Sequence, residues 1–131
     1  MKVKFKSKTI GPVFVIKKNQ EIRYALLDVS KPTRFPPSEK PSQTLLASVG
    51  ACFVKSIDNV AQKQELELEE FVIQVKGFSS IDMPIRIAKI SVLISGGLFD
   101  KLGEKKLLLI EAKAICTVSN TLNCEIELDH D

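Results

Sequence analysis

The sequence predicts an α+β fold with an antiparallel sheet, and three observations carry that prediction. Strand-type alternation or β-branched density recurs near the start, in the middle and at the end of the chain. Two longer stretches with helical periodicity separate those strand segments. The order is therefore strands, helix, strands, helix, strand. At 131 residues the chain has room for one core and not two, so residues 1–131 are expected to form a single domain. A composition of 44% hydrophobic and 27% charged residues, with 6 Gly and 6 Pro, is that of a folded globular protein.

Residues 2 to 10 alternate. Lys4, Lys6 and Lys8 are spaced by two with Phe5 between them, the pattern of a strand with one solvated face. Gly11-Pro12 is expected to break this run. Beyond it, VFVIKKNQEIRYALLDV holds two β-prone segments around the turn-forming KKNQ, which predicts a hairpin or three-stranded meander. From Ser30 to Pro41 the stretch SKPTRFPPSEKP contains Pro32, Pro36, Pro37 and Pro41, which forbid regular helix or central strand and predict a fixed loop.

Pro41 suits the first turn of a helix, and no proline follows it before Lys63. At about 100° per residue, Leu45, Leu46, Val49, Phe53, Ile57, Val60 and Ala61 share one broad arc, opposite Lys55, Asp58 and Gln62. Cys52 falls at the edge of that arc, between Ser48 and Ser56, where a thiol can be largely buried and still face a small cavity. After ELELEE, FVIQVKGF and IRIAKISVLIS are expected strands joined by the turn-rich SSIDMP, with Gly96-Gly97 ending the second. A second helix is expected from Asp100 to about Ala114. Its Leu107 to Ile110 block is apolar most of the way round, which predicts burial on more than one side, as at an oligomer interface. Cys116 follows in AICTVSNTL, and CEIELD alternates as a final strand.

The net charge of +3 comes from 19 basic and 16 acidic residues, with the excess concentrated in the Lys-rich opening. Nucleic-acid binding is not expected, because neither a basic helix nor aromatic-basic interleaving is present. No run reaches the roughly 20 apolar residues of a membrane span, and the opening lacks the apolar segment of a signal peptide. A soluble, cytoplasmic protein is expected. The three cysteines, Cys52, Cys116 and Cys124, have neither CxxC nor Cys/His ligand spacing, so neither a metal site nor a secreted disulfide framework is implied. A disulfide here would be a transient, working one. His130 is expected to be frayed, and Gly96-Gly97 to be a turn with no phosphate loop behind it.

Taken singly, each cysteine packs like a small hydrophobe. Together, LLASVGACF in the first helix, TRFPP in the loop before it and AKAICTVSNTL after the second helix resemble the family of osmotically inducible protein C and organic hydroperoxide resistance protein, OsmC/Ohr. The resemblance runs over nearly the whole chain. It implies an OsmC-like fold, an intertwined homodimer with active sites at the subunit interface, and a thiol peroxidase that reduces organic hydroperoxides in an antioxidant, stress-response role. It further implies that Cys52 is the peroxidatic cysteine and Cys116 the resolving one. The first, as thiolate, attacks the peroxide and becomes a sulfenic acid; the second condenses with it to a disulfide. No bound cofactor is implied, only an external dithiol or lipoyl-type reductant.

A free thiol with a pKa of about 8.5 is mostly protonated at neutral pH, so the peroxidatic cysteine needs a positive charge nearby. Family members supply an arginine from the loop before the helix; Arg34 matches it, and Arg23 on the preceding strand is a second candidate. The chain departs from the family after Pro41, where members usually carry a glutamate that orients the arginine and this chain has Ser42 and Gln43. Gln43 could accept one hydrogen bond from Arg34, and Glu39 could substitute for the glutamate. Thr117 replaces a proline common after the resolving cysteine. If VSNTL opens a short helix, its N-terminal amides would stabilise a Cys116 thiolate. The expected substrate is a fairly apolar hydroperoxide. The alternative is an OsmC-like dimer with little peroxidase activity that binds an apolar small molecule at the subunit interface. A structural interaction subunit using the basic first strand has no motif behind it.

Overall fold

The computed structural model describes residues 5–66, 68, 70–96 and 105–131. Along the chain lie β1 (Thr9–Lys18), β2 (Glu21–Ala25), α1 (Pro41–Lys63), β3 (Phe71–Ser79), β4 (Ile87–Ser95), α2 (Lys105–Ile115), α3 (Thr117–Thr121) and β5 (Glu125–His130). The strands form one sheet in the order β2-β1-β3-β4-β5. Residues 97–104, which include Gly97 and the expected start of the second helix, lie outside the described residues.

Gly11-Pro12 does not end a strand, as expected from the sequence, but sits inside β1. The register between β1 and β3 shifts from Ile10↔Gly77 to Val13↔Val75, so β1 carries one extra residue there, a β-bulge. Gly11 makes the bulge possible: its φ is +90°, and a Cβ would stand 3.1 Å from the Val75 carbonyl oxygen. Residues 5–8 precede the sheet and bind its 79–81 turn through Phe5 N–H to Ile81 O and Lys8 N–H to the Ser79 hydroxyl.

The pairings of β1 with β2 and β3, and of β3 with β4, are antiparallel, while β5 runs parallel to β4. Two helices separate β4 from β5, and such a crossover returns the chain to the end from which β4 started. His130 is not frayed: it pairs with Ile94 across this ladder.

Alternation along β3 points Phe71, Ile73, Val75 and Gly77 inward, and β4 adds Ile90, Val92 and Ile94. Against them α1 lays Leu46, Val49, Phe53, Ile57 and Val60, all buried. By length and composition alone α1 could cross a membrane; here its apolar face is spent on the sheet. Gly50 brings helix and sheet together, since a Cβ there would stand 2.5 Å from Val15 Cγ2. Pro41 opens α1 without a side-chain cap, and the Thr44 hydroxyl ties the first turn to the Pro37 carbonyl. Leu108, Leu109 and Ala112 of α2 complete the core beside α1, whereas Leu107 and Ile110 are 54% and 58% exposed. The LLLI block is thus buried on one side only within this chain.

Candidate active site

The helical arc that buries Phe53 and Val49 leaves Cys52 at its rim, half-buried. Facing that rim is the short helix α3, which holds most of the VSNTL stretch. Cys116 is its N-cap, in extended conformation and fully buried at 0% exposure. All three cysteines are free. Cys52 is near enough to Cys116 for its sulfur to act on that thiol's titration. The Val118 N–H, in the first turn of α3, donates to Cys52 Sγ at 3.5 Å. One sulfur is therefore reachable from outside and the other stands behind it in the core.

Burial pushes the Cys116 thiol above the ordinary cysteine range, and the nearby Cys52 sulfur adds to the rise. The Ser119 hydroxyl and N–H work against both, lowering its pKa. Of the α3 amides expected to serve Cys116, that of Val118 donates to Cys52 instead. Cys124 is half-buried before β5 and is likewise raised by burial.

Two side chains that sequence reasoning did not single out brace this junction. Ser119, 6% exposed, donates its hydroxyl to the Cys116 carbonyl at 3.2 Å. Asn120 donates its side-chain amide to the Ala114 carbonyl at 3.0 Å and its backbone N–H to the Cys116 carbonyl. Their presence within VSNTL was the only available signal, because short polar side chains are common wherever a helix must be capped.

The other sequence-predicted residues lie apart from the thiols. Arg34 is exposed in the loop that follows the Tyr24↔Thr33 bridge, and among the described residues no ion pair or side-chain hydrogen bond joins it to Glu39, Gln43 or a cysteine. Glu39 and Gln43 line a cavity of about 440 Å³ together with Tyr24, Leu26, Lys31 and Phe35; neither cysteine borders it. Arg23, the second candidate, is ion-paired with Glu21 on β2. Among the described residues, no group of three or more His, Cys, Asp or Glu side chains could hold a metal ion.

This arrangement can oxidise and re-reduce sulfur: an accessible thiol, a buried partner against it, and backbone and hydroxyl donors around both. The family model described as OsmC-like protein matches residues 38–131, which span α1, both thiols and β5. No curated protein sequence matches significantly. Among solved structures, the organic hydroperoxide resistance protein OhrB of Bacillus subtilis is similar at 17% identity and a TM-score of 0.61, over 97% of this chain and 98% of that one. An organic hydroperoxide resistance protein of Vibrio cholerae, solved with captopril in one of its active sites, is similar at 14% identity and a TM-score of 0.60, over 96% and 91%. The OsmC-like protein of Mycoplasma pneumoniae is similar at 13% identity and a TM-score of 0.59, over 100% and 98%. At these identities the likeness is one of fold, and it includes β1 and β2, which precede the matched stretch.

Proposed function

Because the chain belongs to the OsmC-like protein family, which includes organic hydroperoxide resistance proteins, we propose that it is a thiol peroxidase that reduces organic hydroperoxides. The observation that carries this reading is the unequal burial of two adjacent thiols, Cys52 half-buried and Cys116 at 0% exposure. A peroxide arriving from solvent meets Cys52 first. The Cys52 thiolate attacks the outer peroxide oxygen, the O–O bond breaks, and the alkoxide leaves as an alcohol once protonated, with a sulfenic acid left on Cys52. Cys116 then displaces hydroxide from that sulfur and closes the disulfide, and a dithiol or lipoyl-type reductant reopens it. No bound cofactor takes part in this scheme, and a reducing, cytoplasmic setting suits its free thiols.

The working unit in this reading is a homodimer. Leu107, Ile110 and Ile115 are exposed apolar residues of α2, and Leu27 and Phe35 are 94% and 77% exposed in the loop that also carries Arg34. Covering such surface by a second copy supports a site in which Arg34 meets Cys52 only after assembly.

The test is a thiol titration of the reduced protein before and after one equivalent of cumene hydroperoxide, with mapping of the product. The reading requires rapid loss of two thiols and a Cys52–Cys116 disulfide, and loss of both effects in Cys52→Ser. Survival of all three thiols would instead favour the ligand-binding reading. That second reading draws on the separation of Arg34 from the thiols within the protomer and on Ser42 and Gln43 in place of the family glutamate.

A further inference from the structure

The half of the reaction that closes the disulfide places the harder demand on this site. Cys116 has no access to solvent, so the anion it must form to attack Cys52 has to be stabilised from within the protein. Among the described residues, Ser119 carries the hydroxyl that acts on this thiol. Ser119 is 6% exposed, lies one helical turn after Cys116, and holds its Oγ 3.2 Å from the Cys116 carbonyl oxygen. That carbonyl also accepts the Asn120 N–H at 3.0 Å, so it keeps a partner when the Ser119 hydroxyl turns away. Leaving the carbonyl would therefore not orphan it, and the hydroxyl already lowers the pKa of the neighbouring thiol.

We propose that Ser119 is a positioning residue for disulfide closure: its hydroxyl holds Cys116 at the head of α3 in the resting dithiol and turns to the Cys116 sulfur as that sulfur attacks Cys52. The inference rests on the peroxidase reading and adds a residue to it. In the step concerned, the Cys116 sulfur bonds to the Cys52 sulfur, the S–O bond of the sulfenic acid breaks, and hydroxide leaves as water with the proton Cys116 gave up. Both sulfurs finish at the same oxidation level, so no further oxidant enters. Ser119 keeps its own proton throughout and lends only a hydrogen bond.

The electrostatic surroundings leave Ser119 little competition. Its hydroxyl and N–H lower the Cys116 pKa against burial. From α1, Cys52 is the titratable group that faces the thiol, and it raises that pKa. From α2, Lys113 accepts the Cys116 N–H at its carbonyl and sends its ammonium to the Ile126 carbonyl of β5, at 2.9 Å. α3 carries no charged side chain.

The test follows one turnover of the full chain with cumene hydroperoxide, reading sulfenic acid by dimedone capture and disulfide by thiol loss across a range of pH. A hydrogen bond to a charged group is worth about tenfold or more in such a rate. Ser119→Ala is expected to form the sulfenic acid at the wild-type rate, to close the disulfide about tenfold more slowly, and to move the pH midpoint of closure upward. Ser119→Thr, which keeps a hydroxyl, is expected to restore both. If Ser119→Ala does not fold, Ser119→Val, which matches threonine in shape and lacks the hydroxyl, is read against Ser119→Thr in its place. Closure at the wild-type rate and pH midpoint without the hydroxyl overturns the role of Ser119 and leaves the peroxidase reading standing. A wild-type chain that never forms the sulfenic acid overturns both.

Discussion

The backbone N–H of Val118 stands 3.5 Å from the sulfur of Cys52, across 66 positions of sequence. A thiolate is the reactive form of cysteine, and this amide belongs to the same short helix that Cys116 caps. One element therefore addresses both sulfurs, and any change at Cys52 should be felt at its first turn.

The Val118 amide is accordingly expected to report on Cys52. In an amide NMR spectrum, alkylation of Cys52 should move the Val118 resonance more than that of Thr121, at the far end of α3. The same reagent should leave Val118 unmoved in Cys52→Ser. An unchanged Val118 resonance after complete alkylation would contradict the contact.

Gly50 sets how closely α1 lies on the sheet, two residues before Cys52. Alanine there must displace Val15 and Val75, whose Cγ2 atoms would stand 2.5 Å and 3.0 Å from the new Cβ. Gly50→Ala is expected to cost about 1–3 kcal/mol in urea unfolding, the range for overpacking a close-packed core. A lifted α1 also carries Cys52 away from α3, so disulfide closure should slow along with the loss of stability. A stable variant with unchanged closure would show that the helix can shift without disturbing the thiols.

Lys17 is buried at 8% exposure, with Nζ 2.6 Å from Asp58 Oδ1 and 3.1 Å from the Leu68 carbonyl. It thereby ties β1 to α1 and to the approach to β3. Asp58→Asn leaves the ammonium buried with a weaker partner. Breaking a buried pair costs about 3–5 kcal/mol, but the Asp58 side chain is 28% exposed, so about 2 kcal/mol is expected here. Lys17→Met removes the buried charge itself and should cost less than Asp58→Asn. The reverse order in urea midpoints would mean that the carboxylate, and not the ammonium, is the group that needs its partner.

The pH dependence follows from Cys116, whose pKa is raised by burial above that of an ordinary thiol. Its proton stays on through neutral pH, so the rate of disulfide closure should rise about tenfold per pH unit there and level off only above the usual thiol range. Stability has the opposite sign. The contribution of the buried neutral thiol is complete below the unfolded value of about 8.5 and is lost as pH rises through the higher folded value. Single-turnover closure rates and alkaline urea midpoints check the two halves; a flat closure rate across neutral pH would contradict the first.

Much of the fold was legible because its elements are local. The Pro41–Lys63 helix follows from one proline, an uninterrupted run and an apolar arc at 100° per residue. The strands Phe71–Ser79 and Ile87–Ser95 follow from alternation and β-branched residues. Gly11-Pro12 misled for a physical reason: the same pair that ends a regular strand is also what a bulge uses, and only the partner strand decides which. The parallel β4–β5 pairing was likewise invisible, since alternation in CEIELD fixes which side chains share a face and says nothing of strand direction.

The site divides along the same line. By itself the sequence determined the positions of the thiols and the rim position of Cys52 on its helix, because each depends on residue type and spacing within one element, and it left the short helix after Cys116 as a condition. Which thiol is half-buried, which is sealed in the core, that the Val118 amide points at Cys52 and the Ser119 hydroxyl at the Cys116 carbonyl, and that Arg34 makes no contact with either thiol within this chain were decided only by tertiary structure. Those relationships come from packing α1 and α2 on one sheet, and packing joins residues that no local periodicity connects.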